Sequence, residues 1–396
     1  MWYVLGNEDS ASRLRVGGLI QFDGRTYFDD TTPTTLTDTF LIRRARPILA
    51  GTFANLVDAF LMPDFAGGTL TLYDAYVDLH PWSWLSVRGG KFKTPFGLER
   101  LQDDRDLIFL ERGLTADIDP DRDIGVTVHG NFGIVSRQAN AEHPSIEDQI
   151  VFHYDLAALN GATDGASDNS ATQNAKTLVA RVFAQPFLAT GLVALKGVGL
   201  GVAGTYGRVQ GNASSSDVPT FVTPAQNTFF SYLPNVVANG DRTRLTPEVF
   251  YHVGSFAFLG EYVMSLTNVT TWVKSAQLED EAWQAQASFI LTGEEAYFTG
   301  VVPTRPFSVA QHNYGAFQIA ARYSELLIDP SSFPTFANPA LSANRATNFA
   351  GDLNWYFTYN FRFGVEFDWT NFDGGAPDNG NRASEKSLIG RMQAAF

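Results

Sequence analysis

The sequence predicts an all-β protein, a 16-stranded antiparallel transmembrane β-barrel with one long connection that constricts its lumen. Three observations predict it. Sixteen short segments alternate apolar and polar residues, and the connections between them tend to alternate short and long. No run of 18 or more apolar residues exists in the 396-residue chain to make a helical span.

The strands fall near 13–28, 39–51, 52–63, 69–80, 84–93, 124–134, 149–160, 177–187, 197–209, 244–253, 256–269, 281–293, 315–328, 347–358, 360–372 and 385–396. In the first, Leu14, Val16, Gly18, Ile20 and Phe22 oppose Arg13, Arg15, Gln21, Asp23 and Arg25. A period of two puts these sets on opposite faces, one suited to lipid and the other to water. In the twelfth, Trp283, Ala285, Ala287, Phe289 and Leu291 oppose Gln284, Gln286, Ser288 and Thr292. In the fifteenth, Phe361, Phe363, Val365, Phe367 and Trp369 oppose Arg362, Glu366, Asp368 and Thr370. The last strand sets Leu388, Gly390, Met392, Ala394 and Phe396 against Ser387, Arg391 and Gln393. A soluble β-sandwich also alternates, but it would have to bury charges such as Arg362, Glu366 and Asp368 at large cost.

Short turns are expected at 81–83, 254–255 and 358–360, and long external loops at 94–123, 161–176, 210–243, 294–314 and 329–346. Residues 1–396 form a single barrel, with 1–12 as an N-terminal segment and 94–123 as the pore-constricting loop. Trp82, Trp84, Tyr262, Trp355, Tyr356 and Trp369 fall mostly toward strand ends, where amphipathic rings suit the lipid headgroup level.

Composition agrees. Phe at 32, Tyr at 14, Trp at 7 and Gly at 35 suit many short strands and tight turns, and the absence of Cys excludes disulfides and thiolate metal sites. A net charge of −14 without a basic block argues against nucleic-acid binding. Met1-Trp2-Tyr3 has neither a basic nor an apolar leader region, so numbering is expected to start inside the mature chain.

Charge chemistry concentrates in two runs. Arg43, Arg44 and Arg46 lie in one strand, and Lys91, Lys93 and Arg100 span a strand end and the loop after it. Arg or Lys on a lipid face costs about 2–4 kcal/mol at the midplane, so the pairs Arg44/Arg46 and Lys91/Lys93 are expected to point inward. Arg43 falls on the opposite face and requires a bulge, an interfacial position or a neighbouring subunit. Arginine suits an anion path because its fork binds oxyanions in bidentate fashion and stays charged. Arg181, Arg322 and Arg362 are further candidates, as are Arg15, Arg25, Arg88 and Arg391. Each has lumen carboxylates such as Asp23, Glu248, Glu366 and Asp368 as the competing partner. The 94–123 loop holds four arginines against nine carboxylates, an acidic excess that works against strong anion preference.

Asp117, Asp119, Asp121 and Asp123 superficially resemble a calcium loop but lack its sixth-position Gly and twelfth-position Glu, so they are a weak divalent-metal candidate. The six histidines show no metal-ligand spacing, and no Gly-x-Ser-x-Gly elbow or Walker loop occurs. No catalytic residue and no cofactor is expected, and the chain does not read as an enzyme.

The motifs Phe40-Leu41-Ile42-Arg43-Arg44-Ala45-Arg46, Leu61-Met62-Pro63-Asp64-Phe65, Tyr73-Asp74-Ala75-Tyr76-Val77-Asp78 and Gly90-Lys91-Phe92-Lys93-Thr94-Pro95-Phe96-Gly97-Leu98-Glu99-Arg100 resemble the phosphate-selective porin O and P family of Gram-negative outer membranes. The likeness continues through Asp121-Arg122-Asp123-Ile124-Gly125-Val126, Arg181-Val182-Phe183-Ala184-Gln185-Pro186-Phe187, Phe229-Phe230-Ser231-Tyr232 and Leu291-Thr292-Gly293-Glu294 to the terminal Phe. It implies a sixteen-stranded, homotrimeric porin passing small inorganic anions such as phosphate by diffusion, with Arg44, Arg46, Lys91, Lys93 and Arg100 along the path. The expected setting is the outer membrane, in contact with its lipid and lipopolysaccharide. Phe396 is the expected assembly signal, read by the barrel-assembly machinery. The alternative is a structural or docking barrel whose polar loops 161–176 and 210–243 bind a partner protein, a surface polymer or divalent ions, its pore only weakly selective.

Overall fold

The computed structural model describes residues 3–5, 11–28, 36–135, 149–170 and 173–396. Sixteen antiparallel strands close on themselves: β1 Arg13–Phe28, β2 Thr39–Phe53, β3 Val57–Asp64, β4 Thr71–Trp82, β5 Leu85–Lys93, β6 Arg122–Val135, β7 Gln149–Leu159, β8 Thr177–Ala184, β9 Val198–Gln210, β10 Val237–Val253, β11 Phe256–Thr270, β12 Ser275–Ile290, β13 Ala316–Leu327, β14 Ala343–Tyr356, β15 Phe361–Gly374 and β16 Glu385–Ala395. Each strand pairs with the next, and β16 returns to β1 with Arg391 opposite Asp23 and Ala394 opposite Ile20. Closure removes both sheet edges, so backbone donors at membrane depth find partners within the ladder.

Burial is inverted relative to a soluble protein. In β15, Arg362, Glu366, Asp368 and Thr370 are buried while Phe361, Phe363, Phe367 and Trp369 are exposed. The apolar face therefore points outward all round, and the charged face points into the lumen. Tyr356 departs from its expected headgroup position: it is buried and inward, its hydroxyl donating to Gln318 Oε1 at 2.8 Å. Trp82 and Trp84 do lie exposed beside a turn, their rings stacked 5.4 Å apart.

Turns at 54–56, 83–84, 254–255 and 357–360 share the end of the barrel that holds the chain's C-terminus. Strand parity puts the 291–315 connection at this same short-turn end. It is not external with the other long loops, and the expectation for 294–314 is corrected accordingly. The expected gap between the eleventh and twelfth strands shrinks to a turn at 271–274, because β12 starts at Ser275, and the expected 210–243 loop shortens to 211–236, because β10 starts at Val237. Proline does not end β4, which runs through Pro81 to Trp82. Within the N-terminal segment, Tyr3–Leu5 pairs with Leu14–Val16, while residues 1–2 and 6–10 lie outside the described residues.

Part of the lumen is filled by chain. The segment between β5 and β6 crosses inside and packs Phe96, Leu114 and Ile118 against inward small or apolar residues of the wall, among them Val263, Ala282, Leu326 and Ala346. A hairpin in the 211–236 connection, Thr220–Val222 paired with Thr228–Ser231, turns inward too and adds Phe221, Phe229 and Phe230. Full burial of such a phenyl ring contributes on the order of 2–3 kcal/mol, enough to hold both segments inside.

Candidate functional site: two chambers joined at an arginine neck

The 94–121 segment is fastened along the β11–β16 side. Leu98 N donates to Glu261 Oε2 at 2.7 Å and Thr115 Oγ1 to Glu261 Oε1 at 2.8 Å, while Gln284 Nε2 bonds both Glu99 and Glu261. Arg322 Nη1 donates to the Glu111 carbonyl at 2.7 Å, Arg362 to that of Leu107 at 2.5 Å, and Arg391 Nη2 to the Glu111 carboxylate at 2.7 Å. Gly97 has φ +78°, and a Cβ there would sit 2.3 Å from Asp119 Oδ2, so only glycine permits this turn.

With that side filled, the open volume lies against β1–β8. A cavity of about 660 Å³ occupies the short-turn half, and one of about 260 Å³ occupies the long-loop half beneath the inward hairpin. Arg46, Asp104 and Arg122 line both. These three side chains, the neck, stand between the two chambers.

Arg46 Nε donates to Asp64 Oδ2 at 2.6 Å, Nη1 binds Asp104, and the guanidinium lies 3.9 Å from the centre of the Tyr73 ring. Arg122 covers the same ring at 4.6 Å and pairs with Asp74 at 3.2 Å and Asp121 at 2.8 Å. Asp104 also meets Arg44 at 3.3 Å and Arg112 at 2.5 Å. Burial pushes the Asp104 carboxyl up, but Arg44, Arg112 and Arg46 outweigh it and hold the group well below the usual carboxylate range. Glu111 behaves alike: burial raises it, and Arg43, Arg391 and Arg25 bring it well below. Burial of Asp117 meets less opposition, from Val222 N–H and Arg100, and its pKa is pushed up to about 8.

Arg43 is the bulge residue between β1 and β2. Gln21 opposes Arg44 and Phe22 opposes Ile42, so Arg43 has no partner and swings inward to a bidentate contact with Glu111 at 2.6 and 2.9 Å. The smaller chamber is thereby lined by six arginines against four carboxylates, one of them Asp117. The larger carries seven Arg or Lys against five carboxylates. Both are cation-rich in a chain whose net charge is −14. The acids of the crossing segment are largely spent on arginines around them.

The sequence-predicted residues separate into groups. Arg46 sits at the neck, Arg44 and Arg100 line the smaller chamber, and Lys93 and Arg181 line the larger. Lys93 Nζ caps the carbonyls of Gln102 and Leu101 at 2.8 and 3.2 Å, while Arg181 binds Glu248 at 2.7 and 3.3 Å. Lys91 lines neither chamber: its ammonium reaches the Leu72 carbonyl at 2.8 Å and Asn169 in the 160–176 connection. Arg322 and Arg362 are on the filled side, tying down the crossing segment. Arg112 and Asp104 were visible in the sequence only as members of a mixed-charge loop.

The four aspartates of 117–123 diverge. Asp117 accepts from Val222 N, Asp121 from Arg122 and Ser167, and Asp123 from the amides of Gly161 and Ala162. Asp119 points both oxygens at no partner, and burial with Glu261 beside it pushes its pKa well above the ordinary value. No metal-holding cluster of His, Asp and Glu occurs among the described residues. The 210–243 region, a candidate external docking surface, carries the hairpin that covers the smaller chamber. Phe396 exchanges two backbone bonds with Gly18, at 2.9 and 3.0 Å, and its ring lies over the outward face of Gly18.

Among solved structures, the chain is similar to the outer-membrane channel DcaP of Acinetobacter baumannii, with TM-score 0.59, 10% identity and 100% of each chain covered. It is similar as well to an anion-selective porin from Comamonas acidovorans, with TM-score 0.58, 11% identity and 97% and 100% covered. A third is OmpT of Vibrio cholerae in a trimer form, with TM-score 0.54, 10% identity and 98% and 100% covered. At such identities it is the fold that is shared. No curated protein sequence matches the chain. The family model of phosphate-selective porin O and P matches residues 14–396. A match over nearly the whole length, on a closed barrel with its greasy side outward, points to a channel rather than an enzyme, and the chain belongs to the phosphate-selective porin O and P family, as an integral porin of the bacterial outer membrane.

Proposed function

We propose that this porin is a passive diffusion channel for small oxyanions, phosphate among them, and that the 94–121 segment narrows its path. The observation that carries the reading is the neck: two guanidiniums, Arg46 and Arg122, and one carboxylate, Asp104, separate two cation-rich chambers. An oxyanion entering the smaller chamber meets Arg43, Arg44, Arg100 and Arg112 before that neck. Most of these charges are shared with carboxylates at 2.5 to 3.7 Å. Such sharing gives binding strong enough to draw an anion in and weak enough to release it.

The family's name and the anion selectivity of the Comamonas acidovorans porin support the same direction. A homotrimer is the proposed assembly, after the trimer form of the Vibrio cholerae protein. Reversal potentials in planar bilayers under a salt gradient test the ion preference. Anion preference that strengthens at low salt is expected, and a cation-preferring current would overturn the reading.

A further inference from the structure

Many inward apolar residues of the wall pack with the inward segments, as Ala282 and Leu326 do in the cluster that holds Phe96 and Phe230. Another apolar stretch faces open volume. On β1–β4, the inward Leu19, Ile48, Ala50, Phe60, Met62 and Tyr76 are contiguous and line the larger chamber directly. The register sets them side by side: Ala50 opposes Phe60 and Phe60 opposes Tyr76, with Arg15 at the end of that row opposite Ala50. The Phe60 and Tyr76 rings are stacked 5.2 Å apart with 12° between planes, and Phe92 meets Tyr76 edge-on at 6.5 Å.

Cations border this wall. The Arg88 guanidinium lies 4.5 Å from the centre of the Tyr76 ring, and Arg46 at the neck is the cross-strand partner of Leu19. A bare inorganic anion gains nothing from hydrocarbon, and an aqueous passage built only for such ions has no use for a greasy wall. A cavity that combines apolar and aromatic lining with a few placed charges fits an organic ligand carrying both features.

We propose that the larger chamber holds a binding slot for a flat aromatic anion of the aryl phosphate kind, its ring against Phe60, Met62 and Tyr76 and its charged group at Arg46 and Arg122. This rests on the oxyanion reading above and specifies the body of the anion. The phosphate end replaces part of the pairing that Asp104 and Asp74 give the neck arginines. The ring end covers the wall that the loops leave open.

The test compares phenyl phosphate, methyl phosphate and inorganic phosphate as blockers of chloride current through the full-length protein in planar bilayers. Burying about 60 Å² of a phenyl face tightens binding roughly tenfold, so phenyl phosphate should half-block at about one tenth the concentration of either other probe. In the double variant Phe60→Ser/Met62→Ser, the ratio between phenyl phosphate and phosphate should fall to within about twofold. Should that variant not fold, as judged by heat-modifiable mobility in detergent gels, Phe60→Thr replaces it with the same two outcomes. Equal block by all three probes in the unmodified protein overturns the slot and leaves the oxyanion reading standing. A phenyl preference that survives the substitutions overturns its location. Absence of block by any of the three counts against the oxyanion reading beneath it.

Discussion

Arg46→Gln is the substitution that bears most directly on the neck. The side chain is buried, lines both chambers, and contributes one of the two positive charges there. An anion about 5 Å from a guanidinium gains roughly 3 kcal/mol at an effective dielectric near 20 and roughly 0.8 kcal/mol in bulk water. The neck lies between those limits, so the loss should be about 1–3 kcal/mol, a reduction in anion occupancy of roughly 5- to 150-fold. Asp104 keeps Arg44 and Arg112, so the barrel should stay folded.

The assay is single-channel conductance and reversal potential in chloride and phosphate at 0.1 M and 1 M salt. Screening lengths near 10 Å and 3 Å at those concentrations mean that the deficit should shrink as salt rises. Lys91→Gln is the control, since Lys91 lines neither chamber and should leave both readings within about 20%, a margin set by the weakness of remote charges in salt. Unaltered anion conductance and selectivity in a correctly folded Arg46→Gln protein would refute the neck.

Asp104→Asn removes the carboxylate that three arginines share, so anion preference should rise while thermal stability in detergent falls; an unchanged reversal potential counts against it. Asp117, beneath the hairpin, has a pKa raised to about 8, so the stabilisation from its neutral form is complete below its ordinary value of 3.8 and is lost as pH rises through about 8. The protection of the 220–231 hairpin amides, corrected for the intrinsic pH dependence of exchange, should therefore fall between about pH 4 and 8 in the unmodified protein and stay level in Asp117→Asn; identical protection profiles would speak against the assignment. Arg391→Met strips one buried partner from Asp23 and one from Glu111, and the urea midpoint in lipid vesicles should drop by the equivalent of about 3–5 kcal/mol. Replacing 296–303 by a short Gly-Ser linker frees the contact of Gln102 Nε2 with the Phe298 carbonyl at 2.6 Å and opens the short-turn mouth, so conductance should increase.

What was legible in the sequence is what lipid enforces. All sixteen strands are visible because outward positions at membrane depth must be apolar, and the same demand marks Arg43 as needing a bulge, an interfacial position or a neighbouring subunit, of which the structure takes the bulge. Where strands run past the bilayer the demand lapses. In β12 the outward Gln277, Glu279 and Glu281 are polar while the inward Leu278 and Ala282 are apolar, so the apolar-outward alternation that marks a membrane strand inverts while the ladder continues to Ser275. The start of β10 at Val237-Ala238-Asn239-Gly240 is hidden for the same reason.

Of the candidate site, the strand-borne Arg46 at the neck could be picked out from the sequence, and its surroundings less so. Which cations face open volume depends on where the crossing segment lies, and that is set by partners far away in the chain, such as Glu261 for Leu98 and Glu366 for Glu111. Lys91 and Lys93 are two residues apart, yet a glycine at φ +136° precedes them and loop contacts send their ammonium groups to different places.

Because the crossing segment leans on one flank, the barrel divides its labour around its circumference. The staves from β11 to β16 act as a foundation, and a change there should register first as failure to assemble. On the proposed function, the staves from β1 to β8 form the working bank of the channel, where selectivity can be retuned one side chain at a time while the anchorage opposite stays in place.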